Sequence, residues 1–144
     1  MRDIAQHILD AATTGSDLVI TNVNESEGST PSNPGSQMLV YHDGLVCGTV
    51  GGGAMEVRAI TQARGMLGQT ACYMEGMTLR QQANGGLDMP CGGDAGLLYT
   101  PISCDNKAWI EVATEILRCF DQRVAASLVL TCHDDASLFP GEVA

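Results

Sequence analysis

The stretch that most constrains the fold is QMLVYHDGLVCGTV, residues 37–50. Asp43-Gly44 stands between two apolar runs, a strong short signal for a hairpin with a two-residue turn. The two runs must therefore pair antiparallel. Whatever surrounds them has to be compatible with a sheet.

Helices and strands are mixed around this hairpin. The segment from Asp3 to Thr14 puts Ile4, Ile8, Ala11 and Ala12 on one face, with Gly15 as a stop. Residues 17–23, DLVITNV, alternate and are β-branched, which predicts a strand. Residues 24–37, NESEGSTPSNPGSQ, predict a long loop, a kind of segment that disproportionately carries function. After three glycines, AMEVRAITQARGML shows helical periodicity through Met55, Ala59, Ile60, Ala63 and Leu67. Residues 69–79 predict a strand, residues 80–94 a second glycine-rich loop, and AGLLYTPI a strand ending at Pro101. Asp105 is placed to cap a helix from Asn106 to about Phe120, with Trp109, Val112, Ala113, Ile116 and Leu117 on its apolar face. Residues 125–132, AASLVLTC, predict a last strand. The succession predicts an α/β fold, a mixed β-sheet with an antiparallel hairpin and about three helices packed on it.

The chain has 144 residues, the size of one domain with one core. Aromatics are only 4%, so that core has to be built from Leu, Ile, Val, Ala and Met. Seventeen acidic residues against seven basic ones give a net charge of −10. Such a field repels nucleic acid and anionic membrane surfaces. No apolar run approaches the ~18 residues of a membrane helix. The N-terminus reads as an amphipathic helix and not as a secretory signal, so a cytoplasmic location is expected. Six cysteines at 47, 72, 91, 104, 119 and 132 form no CxxC pair, and with three scattered His they make no zinc pattern. An anionic ligand is compatible with the charge only if backbone N–H groups supply the local attraction.

Three loops carry the candidate chemistry. GTVGGGAME, residues 48–56, is a strand, a glycine turn and a helix start, the recipe for an anion site. It fits neither the Walker pattern nor the GxGxxG dinucleotide pattern, so on spacing alone a phosphate loop and a structural corner stand level. MPCGGD, residues 89–94, sets Cys91 among glycines, more reachable than the thiols in strands and helices, but Asp94 works against an activated thiol and a turn cysteine with no role stands as the alternative. GSTPSNPG, residues 28–35, offers hydroxyls and open backbone. No Ser-His-Asp or paired-carboxylate arrangement stands out.

The order and spacing of these loops resemble the XdhC/CoxI family, whose opening motif reads GSxPRxPGxKMLV, then a DG hairpin, then GTIGGGxLE. MPCGG resembles its second motif, MxCGG, and the likeness runs from residue 17 to about residue 101. The resemblance implies the N-terminal domain of an accessory protein for molybdenum hydroxylases such as xanthine dehydrogenase. Such a protein binds the molybdenum cofactor, helps give it its terminal sulfur, and delivers it to the apo-enzyme, as a chaperone more than a turnover catalyst. Pro34 and Gly48 also match the motifs, and the cofactor-binding residues carried over are Gly28, Ser29, Pro31 and Gly35, then Gly51, Gly52, Gly53 and Glu56, then Cys91, Gly92 and Gly93. On this reading the glycine turn receives the phosphate of molybdopterin, and Cys91 faces the molybdenum or handles sulfur. The implied partners are the hydroxylase apo-enzyme and a cysteine desulfurase, and the small, Met-rich, aromatic-poor composition separately leads to the expectation of a homodimer. Ser32, Asn33 and Gln37 stand where the family shows basic residues. The alternative is therefore a non-catalytic dimerisation or interaction module that has lost cofactor binding. Residues 1–144 are expected to form one domain without the nucleotide-binding-type domain that follows in many members.

Overall fold

The computed structural model describes residues 1–79 and 92–130 of the chain. The elements are α1 (Arg2–Thr14), β1 (Leu18–Glu27), β2 (Gln37–Tyr41), β3 (Val46–Gly48), α2 (Gly53–Met66), β4 (Tyr73–Thr78), β5 (Asp94–Ile102) and α3 (Lys107–Gln122). The five strands form one sheet in the order β3-β2-β1-β5-β4. This is the α/β fold with three helices and an antiparallel hairpin that the sequence predicts; the antiparallel pairing extends to every described strand pair, where the sequence predicts a mixed sheet.

The hairpin forms where Asp43-Gly44 requires it. Leu39 faces Cys47 and Val40 faces Val46 across β2 and β3. Asp43 Oδ1 accepts from the Leu45 N–H at 3.0 Å, and the Gly44 N–H donates to the Tyr41 carbonyl at 3.0 Å. The connection spans residues 42–45, longer than the two central residues alone.

β1 is the spine of the sheet, and alternation along it sorts side chains to two cores. Val19 and Val23 face one side, where Met55, Ala59, Ala63 and Met66 of α2 cover Met38, Val40, Leu97 and Tyr99. Leu18 and Ile20 face the other side, where Ala5, Ile8 and Ala11 of α1 and Ala113 of α3 cover Leu39, Tyr41 and Ile102. The result is three layers, α2 on one face and the α1–α3 pair on the other. Methionine and aliphatic side chains fill both cores, as the scarcity of aromatics demands.

Three details differ from the sequence reading. β1 continues through Glu27, because its far half pairs with Ala95 and Asp94 of β5 past a shift in register between Val23 and Glu25. The cap of α3 is Asn106, whose side chain accepts from the Trp109 N–H, whereas Asp105 accepts from the Ser103 hydroxyl. Residues 125–130 form no strand. Arg123 ends α3 with φ +55°, and Val124, Val129 and Leu130 emerge exposed with no strand alongside among the described residues. The predicted loop at 80–94 lies outside the described residues except for Gly92, Gly93 and Asp94.

Candidate functional site

The loop after β1, the glycine turn before α2 and the residues entering β5 meet at one end of the sheet. This follows from the strand directions: β1 ends, and β2 and β5 begin, at the same edge. The loop is held to the sheet by the Gly35 N–H on the Val23 carbonyl at 2.8 Å and the Val23 N–H on the Ser36 carbonyl at 2.9 Å.

Close backbone approach explains the glycines. A Cβ on Gly93 would lie 2.4 Å from the Glu27 carbonyl oxygen, 2.7 Å from Thr30 Cγ2 and 2.8 Å from the Ser29 carbonyl oxygen. A Cβ on Gly51, whose φ is +127°, would lie 2.8 Å from Pro31 Cγ and 3.2 Å from Ser32 Oγ. The first loop thus touches both of the others. Ser32 ties it down further, its hydroxyl donating to the Val50 carbonyl at 2.6 Å. Gly28 packs on Gly92, and the Leu79 N–H donates to the Gly93 carbonyl at 2.8 Å.

The structure therefore brings together Gly28, Ser29, Pro31, Gly51, Gly92 and Gly93 of the sequence-derived set. Gly35 lies at the far side of the same loop, with open space around it. Gly48 packs on the Gln37 carbonyl in the hairpin. Cys91 lies outside the described residues.

Glu56 has a part that its spacing did not disclose. Its Oε2 accepts from the Val50 N–H at 3.2 Å, from the Gly52 N–H at 3.1 Å and from the Thr49 hydroxyl. The Gly51 N–H goes to Thr49 Oγ1 at 3.0 Å. Of the three glycine N–H groups in the turn, only that of Gly53 has no acceptor among the described residues, and the Ala54 N–H joins it at the start of α2.

Among the described residues, the positive side chains of α2 are turned elsewhere. Arg58 is engaged by Glu75, and Arg64 reaches the Gly44 carbonyl at 3.4 Å. Beside Gly93, Glu25, Glu27 and Asp94 line an open cavity of about 480 Å³ with Gly76, Met77, Thr78 and Ala95. Among the described residues, attraction for an anion at this end comes from backbone N–H groups and the start of α2. Gly53 and Ala54 supply such donors, and the space beside Gly52 is open, so the described residues fit the phosphate end of a cofactor through backbone groups. Among the described residues no three His, Cys, Asp or Glu side chains are placed to hold a metal ion, and no helix is long and apolar enough to cross a membrane.

A buried polar network beneath α2 was missed by the sequence reading. Glu75, 7% exposed, receives Arg58 Nε at 2.7 Å on one carboxylate oxygen and the Tyr99 hydroxyl on the other. Its signal was in the alternation Tyr73, Glu75, Met77, which places an acid on the inward row of β4.

A solved structure titled a xanthine dehydrogenase, from Bacillus halodurans, has the same fold with a TM-score of 0.62 at 19% identity. The likeness covers 84% of this chain but 34% of that one, so the chain spans about a third of its length. No match was found among curated proteins. The model of the XdhC and CoxI family matches residues 11–75, which hold β1, the first loop, the hairpin, the glycine turn and α2. Those residues belong to the XdhC and CoxI family.

Proposed function

We propose that the chain is an accessory protein in the maturation of a molybdenum hydroxylase such as xanthine dehydrogenase, holding the molybdenum cofactor at the three-loop junction and passing it to the apo-enzyme. The observation that carries this reading is the contact of the first loop with both Gly51 and Gly93, which makes one surface from three separated motifs. In this reading the Gly53 and Ala54 N–H groups receive the phosphate of molybdopterin, and Ser29 and Pro31 flank it. Cys91, one residue before Gly92, is assigned the metal end or sulfur handling. When bound, the cofactor supplies the molybdenum–dithiolene centre that the acceptor enzyme uses. A cysteine desulfurase as sulfur source and a homodimeric state belong to the same proposal, the latter tested by mass in light scattering across a concentration series.

Anaerobic titration of the purified chain with molybdenum cofactor tests the reading. Saturable binding that weakens in Cys91→Ala supports it. Absence of saturable binding removes the cofactor role.

The second reading is an interaction module that pairs with the hydroxylase without holding cofactor. What favours it is the charge among the described residues of the junction, where Glu25 and Glu27 line the cavity and Arg58 and Arg64 are engaged elsewhere. Restoring Arg or Lys at Ser32, Asn33 and Gln37 separates the two: it creates cofactor affinity where charge had been lost, and changes little where backbone contacts suffice.

A further inference from the structure

We infer that Glu56 is the resident anion of the glycine turn and decides which backbone donors an incoming ligand can use. A strand–glycine–helix turn ordinarily leaves its N–H groups bare, and a bare set is what a phosphate occupies. Here one carboxylate oxygen of Glu56 takes the N–H groups of Val50 and Gly52 and the hydroxyl of Thr49. Thr49 in turn accepts from the Gly51 N–H. Four groups of the turn are closed by two side chains of the turn itself.

The position of Glu56 makes this possible. It stands in the first turn of α2, where the partial positive charge of the helix start favours a carboxylate. An acid here reaches back to the N–H of Gly52, the residue that caps α2, as the acid of a capping box does, but from one position further into the helix. The second anchor is outside the helix: the Val50 carbonyl is held by Ser32, so the turn is clamped from the first loop and from α2 together. Val50 is fully buried, which fixes the peptide between the clamps.

Two consequences define the inference. The turn keeps its shape without a ligand, because its donors are already satisfied. Within the turn, an arriving anion is restricted to the Gly53 and Ala54 N–H groups, since a second negative charge on the Val50 and Gly52 donors would displace or repel the carboxylate. Glu56 is thus a positioning residue, and its assignment as a cofactor contact is replaced by one as a gatekeeper. The second consequence rests on the cofactor reading above; the first does not.

The experiment is a titration of the full chain with inorganic pyrophosphate at pH 7, read by backbone amide resonances, with amide hydrogen exchange on the same samples. In the wild type, Val50 and Gly52 are expected to keep their resonances while those of Gly53 and Ala54 move. Saturable movement at Val50 and Gly52 would overturn the inference. Movement nowhere leaves the closure by Glu56 standing and removes the phosphate contact of the proposed function. In Glu56→Gln, protection of the Val50 and Gly52 amides is expected to fall by about tenfold, the effect of weakening a charged acceptor. Unchanged protection in that variant sinks the inference. If Glu56→Gln does not fold, the wild-type titration still decides it.

Discussion

The Tyr99 hydroxyl donates to Glu75 Oε2 at 2.9 Å inside the layer covered by α2, where Tyr99 is fully buried. Arg58 holds the other oxygen from the helix above. A carboxylate in this position is tolerated only while both oxygens have donors. Tyr99→Phe removes one of them, and an expected loss of ~1–3 kcal/mol follows from the unsatisfied oxygen. Urea denaturation checks it: the midpoint falls and the slope stays. A midpoint equal to wild type would mean that water or another group serves Glu75.

Thr21 makes the opposite case. Its hydroxyl is buried under the same helix with no hydrogen-bond partner among the described residues. Thr21→Val keeps the shape and deletes the orphan, so stability is expected to hold or to rise by up to ~1 kcal/mol. A loss larger than that would reveal a bound water at Thr21.

Adjacent glycines should respond differently. Gly93→Ala drives a Cβ into the Glu27 and Ser29 carbonyls and is expected to cost ~1–3 kcal/mol and to loosen the junction. Gly92→Ala has open space around it and is expected to stay within about 0.5 kcal/mol of wild type. Thermal unfolding of the pair is the measurement. Equal effects would mean that the three loops do not touch as described.

Alkaline pH is expected to weaken the fold. Burial, with the charge of Asp10 next, pushes the Tyr41 hydroxyl from 10.0 up to about 12. Burial, then the charge of Glu75, raises Tyr99 further. Between pH 10 and 12 the unfolded chain therefore binds fewer protons than the folded one, and the unfolding free energy declines as pH rises. The contribution of Tyr41 is complete below its unfolded value and lost through about 12. Tyr41→Phe should flatten the fall between those limits in denaturation series run at successive pH values. An unchanged slope would refute this assignment.

Elements with strong local patterning were legible. The periodicity of α1 and α2 located Ile8, Ala11, Met55, Ala59 and Ala63 in the cores, and Asp43-Gly44 located the hairpin. Long-range effects were not. Residues 24–27 read as loop from their polarity, yet the partner strand β5 extends them into the sheet, because backbone pairing overrides composition. Residues 125–130 have strand-forming side chains and no strand beside them, which no local pattern could disclose. At the junction the glycines were legible and their reason was not: Gly93 is required by the carbonyl of Glu27, distant in sequence. Glu56 was picked out by motif, while its bonds to Val50 and Gly52 depend on how the turn folds back on α2.

The strand order carries one more consequence, for synthesis. β5 lies between β1 and β4, and it is the last strand of the described sheet to leave the ribosome. Until Ile102 has been added, β4 has no neighbour and the β1 edge that β5 covers is open. The nascent chain therefore carries the loop and the glycine turn before Gly93 exists to join them. Closure of the sheet and assembly of the junction become a single late event, paced by contacts far apart in sequence.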